Sequence, residues 1–174
     1  MIYYKKIEID NFEVITQKTL EFIQSKDNIN RVGFYWLPWT EYSEYCPEIL
    51  TAFSRYGLEP IGAATITFNT YKPSIHIDDV FHECRINLPV LNCEGSATEF
   101  YEGGEFIAAH TVEKKSPYYV LDPTSSPVKV DEVEIIQPTV IRVRAPHCVR
   151  TNPETLPRIS LSVAFTVDPV FLLD

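Results

Sequence analysis

Hydrophobic and polar residues follow a helical period in the N-terminal third of the chain. Residues 11–25 place apolar side chains near helical spacing after Asn11, which predicts a helix with Asn11 as its N-cap. Residues 47–56 open with a proline, which suits a first helical position, and Gly57 is a common stop signal; this predicts a second helix. Short strands are predicted beside these helices at residues 2–9 and 32–37.

The pattern then changes to short strand-like segments, separated by turn residues such as Lys72-Pro73 and Gly103-Gly104. This series predicts a mainly β (α+β) fold, with a jelly-roll-type double sheet and helices packed on its outside. Residues 1–59 are predicted to support that core, and residues 1–174 to form a single domain. The strands are predicted at residues 63–69, 74–78, 84–90, 97–102, 117–121, 132–136, 139–144 and 158–167.

Composition agrees with a strand-rich fold and narrows the class of protein. The 174 residues include 13 Pro, 6 Gly and 13% aromatic residues, which favours strands joined by stiff turns. A net charge of −9 without a Lys or Arg cluster argues against nucleic-acid binding. The 4 Cys show no CxxC spacing, and the chain has neither a signal-peptide pattern nor the ~20 apolar residues of a membrane span. We therefore expect a soluble cytoplasmic protein with free thiols and no membrane partner.

Candidate chemistry begins at His76 and Asp78. Residues i and i+2 of a strand share a face, so this imidazole and carboxylate point together as two potential ligands of a divalent metal. Among the other histidines, His82 falls in a predicted turn and His110 in a polar loop, whereas His147 falls at a predicted strand end. With His147 the set becomes a two-His, one-carboxylate facial triad, which is typical of non-haem Fe(II).

A second pair lies on the last predicted strand, where Arg158 and Ser160 share a face by the same rule. An arginine that points into a sheet core is costly unless it meets an anion. A guanidinium fork with a neighbouring hydroxyl is a good receptor for a carboxylate, so the pair predicts an anion site.

The order His76-X-Asp78, a distant His147 and then Arg158-X-Ser160, in a strand-rich chain, resembles the Fe(II)- and 2-oxoglutarate-dependent dioxygenases, whose core is a double-stranded β-helix. The resemblance covers roughly residues 60–168 and implies that these residues form a double-stranded β-helix core of jelly-roll or cupin type. It also implies that the triad binds Fe(II) as the catalytic metal. It implies that Arg158 and Ser160 hold the far carboxylate of the cosubstrate 2-oxoglutarate, and that O2 takes a remaining metal position. The implied activity is hydroxylation of a C–H bond in an amino-acid residue or a small carboxylate-bearing substrate, with release of succinate and CO2.

Residues 76–89 (HIDDVFHECRINLP) resemble the aspartyl/asparaginyl β-hydroxylase branch of these enzymes, and short phage-encoded members are also similar. The resemblance implies that Arg85 contacts a substrate carboxylate and that Asn87 contacts the cosubstrate near the metal. The best-known members have Gly where this chain keeps Asp78, and His where it has Asn87. A small-molecule or peptide substrate and a bacterial or phage-infected host cell follow from the same resemblance; the oligomeric state is left open.

Two other classes of protein remain compatible with these residues. A cupin-like metal enzyme without oxygen chemistry, such as an isomerase, would bind Zn or Mn at the triad and its substrate at Arg158. A jelly-roll binding or structural module would carry the triad as a vestige. Arg85 could instead form an ion pair with Glu99. Two residues of the predicted strand 97–102, Thr98 and Tyr101, are further candidates for the pocket wall.

Overall fold

The described part of the chain forms two antiparallel β-sheets of six strands each, and it is mainly β as the sequence predicts. The structure is a computed structural model that describes residues 1–29, 31–68, 74–78, 81–110 and 117–174. The strands are β1 (Tyr4–Lys6), β2 (Gly33–Trp36), β3 (Pro60–Phe68), β4 (His76–Asp78), β5 (Cys84–Leu91), β6 (Ala97–Glu102), β7 (Phe106–His110), β8 (Pro117–Leu121), β9 (Val128–Glu134), β10 (Thr139–Arg142), β11 (His147–Arg150) and β12 (Arg158–Phe165).

The first sheet has the order β1-β10-β5-β12-β3-β2. Strand β12 lies inside it and is buried along its whole length, because β5 and β3 flank it and both sheet faces are covered. Alternation along β5 divides its side chains between the faces. Ile86 and Leu88 join the main hydrophobic core, whereas Arg85 and Asn87 point the other way.

The second sheet has the order β7-β8-β4-β11-β6-β9. The short strand β4 pairs with β8 on one side and with β11 on the other. It is therefore held in the interior of the sheet, although it contains only three residues. Its inner face is turned towards the first sheet, so β4 brings its side chains into the space between the two sheets.

The helices cover the outer face of the first sheet. Helix α1 (Phe12–Ser25) buries Ile15, Phe22 and Ile23 in the same core cluster as the β5 residues, and α2 (Trp39–Tyr45) adds Tyr42 to it. Asn11 precedes α1 as predicted, but its backbone is left-handed and its side chain makes no capping hydrogen bond. Short 3₁₀ helices are found at Pro47–Leu50, Ser54–Tyr56 and Pro169–Leu173. No helix in the described part of the chain is long and apolar enough to cross a membrane.

Several predicted elements differ from the observed ones. The predicted helix 47–56 is two separate 3₁₀ turns, and Gly57 ends the second in a left-handed conformation, as its stop role predicts. Helix α2 was not predicted, because its WTEYSEY sequence carries aromatic and polar residues without a clear apolar stripe. The predicted strand 2–9 is reduced to Tyr4–Lys6.

Further differences concern loops. His110, predicted in a polar loop, ends strand β7, and strand β11 (His147–Arg150) lies outside the predicted strands. The strand predicted at 132–136 begins earlier, as β9. Predictions for Asn69, for Lys72-Pro73 and for residues 111–116 lie outside the described residues. All four cysteines are free, and all four are buried.

Candidate metal and anion site

The predicted triad comes together on the inner face of the second sheet. His76 on β4 lies directly opposite His147 on β11, and their ring centroids are 4.4 Å apart. Asp78 follows on the same face of β4, with its Oδ1 3.6 Å from His76 Nε2. One ligand atom from each residue lies within 4.8 Å of the others, so the three side chains could hold a metal ion.

Both imidazoles are oriented by the backbone. His76 Nδ1 lies 2.8 Å from the carbonyl oxygen of Ser74, and His147 Nδ1 lies 2.9 Å from that of Ala145. A carbonyl oxygen only accepts hydrogen bonds, so each Nδ1 must carry the proton and donate. Each Nε2 is left with a lone pair for a metal, which is how metal-binding histidines are commonly fixed.

The electrostatic surroundings favour the metal-binding form of His147. The side chain is 6% exposed, and burial together with the neighbouring His76 lowers its pKa to about 4. The imidazole is therefore neutral at neutral pH. A neutral ring is the state that coordinates a metal, so no proton has to be displaced.

Arg158 and Ser160 face the same space from strand β12. Arg158 is 2% exposed, and its Nη1 donates a 3.0 Å hydrogen bond to Ser160 Oγ. Its Nε is buried and has no hydrogen-bond partner among the described residues. The guanidinium also forms no salt bridge with a described residue. Burial lowers the pKa of this guanidinium. The structure thus contains a buried cation whose countercharge does not come from the described part of the chain.

Arg85 and Asn87 lie beside this pair, on the inner face of β5. The Arg85 guanidinium carbon is 5.3 Å from the centroid of the Trp36 ring, a cation–π contact. Arg85 Nη1 and Asn87 Oδ1 are both buried without a hydrogen-bond partner within the described ranges. The alternative ion pair with Glu99 is not formed, because Glu99 lies on the outer face of the second sheet and pairs with Arg150.

All seven predicted site residues line one cavity of about 370 Å³ between the two sheets. Asp78 is its one acidic lining residue in the described part of the chain, against two arginines. The cavity is lined by Gly33, Phe34, Trp36, Ile66, Phe68, Ser74, His76, Asp78, Arg85, Asn87, Thr98, Tyr118, Ile135, Ile141, Val143, His147, Val149, Arg158, Ser160 and Ser162.

Four aromatic residues of the described cavity wall were missed by the sequence interpretation: Phe34, Trp36, Phe68 and Tyr118. The run VGFYWL is apolar throughout, which favours a fully buried strand, and only its position at a sheet edge leaves Phe34 and Trp36 46% and 39% exposed. Thr98 lines the cavity as expected. Tyr101 does not, because its hydroxyl donates a 2.7 Å hydrogen bond to Glu99 on the outer face.

The outer face beside His147 carries a polar network centred on Glu99. Its carboxylate accepts hydrogen bonds from Tyr101 and, at 2.9 Å, from Arg150 Nε, and Lys129 lies 3.6 Å away. Burial raises the pKa of Glu99, but these hydrogen bonds and charges outweigh burial, so its pKa is lowered. Cys148 points to this network and away from the triad, and burial raises its pKa to about 11. The thiol is therefore not a ligand in this arrangement.

No protein-family model matches this chain, and no curated protein sequence matches it either. Its function has to be inferred from the residues of the cavity.

Proposed function

We propose that this protein is an Fe(II)- and 2-oxoglutarate-dependent dioxygenase that hydroxylates a C–H bond, and that its two sheets form the double-stranded β-helix of that superfamily. One observation carries the proposal: a His-Asp-His metal-ligand set and a buried arginine without a countercharge in the described residues face the same cavity. A structural metal site would explain the first feature and not the second.

The donor set fits Fe(II). Two imidazole nitrogens and one carboxylate oxygen come from neighbouring strands of one sheet and approach from one side. Structural zinc sites are usually closed by four protein ligands and are rich in cysteine. A two-His, one-carboxylate set leaves positions for further ligands and is typical of non-haem iron oxygenases.

The arginine fits 2-oxoglutarate, which carries a carboxylate at each end. Arg158 would bind the far carboxylate through its planar fork, because its Nε lacks a partner in the described structure. Ser160 Oγ already accepts from Arg158 Nη1, so its own hydroxyl proton remains available to the same carboxylate. The near end of the molecule would then point towards the triad, with Asn87 beside it on β5.

When bound, iron and 2-oxoglutarate supply the oxidation: one atom of O2 goes to the substrate as hydroxyl, the other goes to succinate, and CO2 leaves. The protein binds and orients the reactants. His76 and His147 present fixed Nε2 atoms, since their Nδ1 protons are held by backbone carbonyls. Ile66, Val143 and Val149 give the cavity apolar walls, which limit the access of water.

We assign Arg85 to the substrate. Its Nη1 is buried without a partner among the described residues, and Asp78, the acidic residue of the cavity wall, is occupied as a metal ligand in this scheme. A carboxylate on the substrate would supply the missing partner. The proposed substrate is therefore an amino-acid residue or a small molecule that bears a carboxylate.

Anaerobic titration of the purified protein with Fe(II) and 2-oxoglutarate tests the proposal. We expect the weak visible charge-transfer band of a chelated 2-oxoglutarate, and slow succinate release in air. His147→Ala should abolish the band by removing the metal. Arg158→Lys keeps the charge but loses the fork, so it should weaken 2-oxoglutarate binding by about tenfold or more while Fe(II) binding stays intact.

Arg55→Ala serves as the matched control, because Arg55 forms its ion pairs at the exposed surface with Glu8 and Asp10. It should leave both affinities unchanged. Tight Zn(II) or Mn(II) binding without any 2-oxoglutarate binding would overturn the proposal in favour of a cupin-like enzyme. Binding of neither metal nor 2-oxoglutarate would leave a non-catalytic module.

A further inference from the structure

The edge strands of the two sheets differ in charge. The edge strands far from the cavity, β1 and β9, carry charged residues, whereas β2, next to the cavity, carries none. Tyr3, next to β1, stacks on Phe100 of β6, so β1 and β9 lie at one end of the sandwich. Strand β2 lies at the other end, where Phe34 and Trp36 line the cavity together with Tyr118 of β8, and β7 is the edge strand beyond β8. The two edge strands far from the cavity, β1 and β9, carry the charged residues Lys5, Lys6, Lys129, Asp131, Glu132 and Glu134.

Charged residues on an edge strand protect it from pairing with another chain. Strand β9 has a further protection, a register shift opposite Phe100 and Tyr101. Strand β2 has the sequence GFYW, without a charge, a proline or a register shift against β3. As far as the described residues go, the β2 edge next to the cavity is therefore open to pairing, whereas the β1 and β9 edges are protected.

The backbone of β2 presents a regular set of hydrogen-bonding groups on this open side. Leu37 N–H donates to the carbonyl of Ala63 at 2.9 Å, which fixes the alternation of the antiparallel pair. By that alternation Gly33 and Tyr35 bond to β3, and the N–H and C=O groups of Phe34 and Trp36 point away from it. These groups have no partner among the described residues, although their side chains line the cavity.

We propose that β2 is the docking edge for an extended peptide substrate, which pairs with the outward N–H and C=O groups of Phe34 and Trp36. The inference rests on the proposed function, because the peptide is the molecule to be hydroxylated. Main-chain pairing gives affinity in this mode of recognition, and alternate side chains give specificity. A peptide residue opposite Phe34 or Trp36 projects to the cavity side of the sheet, since directly paired residues share a face.

Charge complementarity selects a substrate peptide rather than a second copy of this chain. Trp36 lies against Arg85, whose Nη1 is buried and lacks an acceptor among the described residues. A peptide that carries an aspartate or glutamate at the cavity-facing position would supply that acceptor. A second copy pairing through β2 would bring residues 31–37 (RVGFYWL), which contain no carboxylate and add the charge of Arg31.

The test uses the protein saturated anaerobically with Fe(II) and 2-oxoglutarate, and probes it with a displayed library of random twelve-residue peptides. Selected peptides are synthesised and then N-methylated at one amide at a time. Strand pairing predicts an affinity loss of about tenfold at every second amide, and little change between them, because alternate N–H groups face β2. A scan without this alternation would overturn the proposal.

A pair of variants isolates the backbone contribution. Phe34→Ala removes the ring and keeps the outward N–H, whereas Phe34→Pro removes both; an edge strand tolerates proline where its N–H faces outwards. We expect Phe34→Pro to lose about tenfold more peptide affinity than Phe34→Ala. Equal losses would mean that side chains alone hold the ligand. If Phe34→Pro fails to fold, which far-ultraviolet circular dichroism would detect, the N-methyl scan still decides.

The outcomes separate this inference from the proposed function. A charge-transfer band with no alternation in the scan rejects the docking edge and leaves the dioxygenase standing. Alternation without a charge-transfer band rejects the dioxygenase and leaves a peptide-binding edge. Concentration-dependent dimers that Phe34→Pro abolishes would overturn the assignment of the edge to a substrate.

Discussion

The shape of the cavity wall depends on single residues. Gly62 is an example, because the side chain of Trp36 lies directly over it. A Cβ atom built on Gly62 would lie 3.2 Å from Trp36 Cζ3, closer than ordinary contact. The absence of that atom lets the indole lie against the sheet, and the indole in turn supports Arg85. The orientation of a proposed substrate-binding cation therefore depends on the smallest residue of β3.

We expect Gly62→Ala to destabilise the protein by about 1 kcal/mol, because the indole must move to relieve the contact. Measured by urea unfolding, the cost should nearly vanish when Gly62→Ala is made in a Trp36→Ala background, where the clash partner is gone. The emission of Trp36 should also shift in the single variant. An equal cost in both backgrounds would show that Gly62 is needed for another reason.

At the scale of elements, Asp168 fixes the start of the strand that carries Arg85 and Asn87. Its carboxylate accepts from the backbone N–H groups of Glu83 at 2.6 Å and Cys84 at 3.2 Å. It also accepts from Val170 N–H at 3.0 Å, which caps the 3₁₀ helix Pro169–Leu173. One side chain thus ties the last helical turn of the chain to the first residues of β5.

Asp168→Ala should lower the free energy of unfolding by about 1–3 kcal/mol, because three backbone donors lose an ionised acceptor. Hydrogen exchange of the Glu83 and Cys84 amides should accelerate more than that of the β12 amides. Asp174→Ala is the control, since Asp174 is exposed at the chain end. Unchanged exchange at Glu83 would contradict the anchoring role.

Sequence patterns were sufficient to predict how some strands contribute to the site, but not all of them. The two-residue period of strands was enough to place His76 with Asp78, and Arg158 with Ser160, on shared inner faces. The same rule could have excluded Tyr101, because residues three apart, such as Thr98 and Tyr101, cannot share a face of a regular strand. The sequence therefore predicts which residues of one strand face the cavity together, provided that the two-residue alternation is applied to every residue of the strand.

The role of β2 could not be predicted in the same way. Four consecutive apolar or small residues fit a central buried strand and an exposed edge strand equally well. The difference depends on which strands pair across the sheet, and that is set by contacts between distant parts of the chain. Helix α2 was not predicted for a related reason. Its buried residue, Tyr42, packs against Phe22 of α1, and the sequence of α2 alone does not contain that contact.

At the scale of the whole molecule, the candidate metal site couples global stability to pH. The pKa of His147 is lowered from 6.5 to about 4 by burial and by His76. Between these values the unfolded chain binds a proton that the folded protein does not. The free energy of unfolding must then fall as the pH falls through this range, and it recovers at neutral pH.

For the metal-free protein we expect a loss of about 1–3 kcal/mol between pH 7 and pH 4 from this residue. The free energy of unfolding is measured by urea unfolding after chelation and dialysis, for the unchanged protein and for His147→Gln, which has no imidazole to titrate at this position. The free energy of unfolding of His147→Gln should depend less on pH, by that amount. Parallel curves for His147→Gln and the unchanged protein would contradict the assignment.

The direct opposition of His147 and His76 also makes the chemistry of the cavity a matter of strand register. A slip of β11 by one residue would turn His147 outwards and bring Cys148 inwards, since neighbouring side chains alternate. The triad would become a histidine, a carboxylate and a thiol, a softer donor set that favours zinc or copper over iron. Glu99, paired opposite Cys148 and bound to Arg150, opposes that slip from the outer face. In the proposed scheme, this ion pair therefore helps to keep the donor set that suits iron.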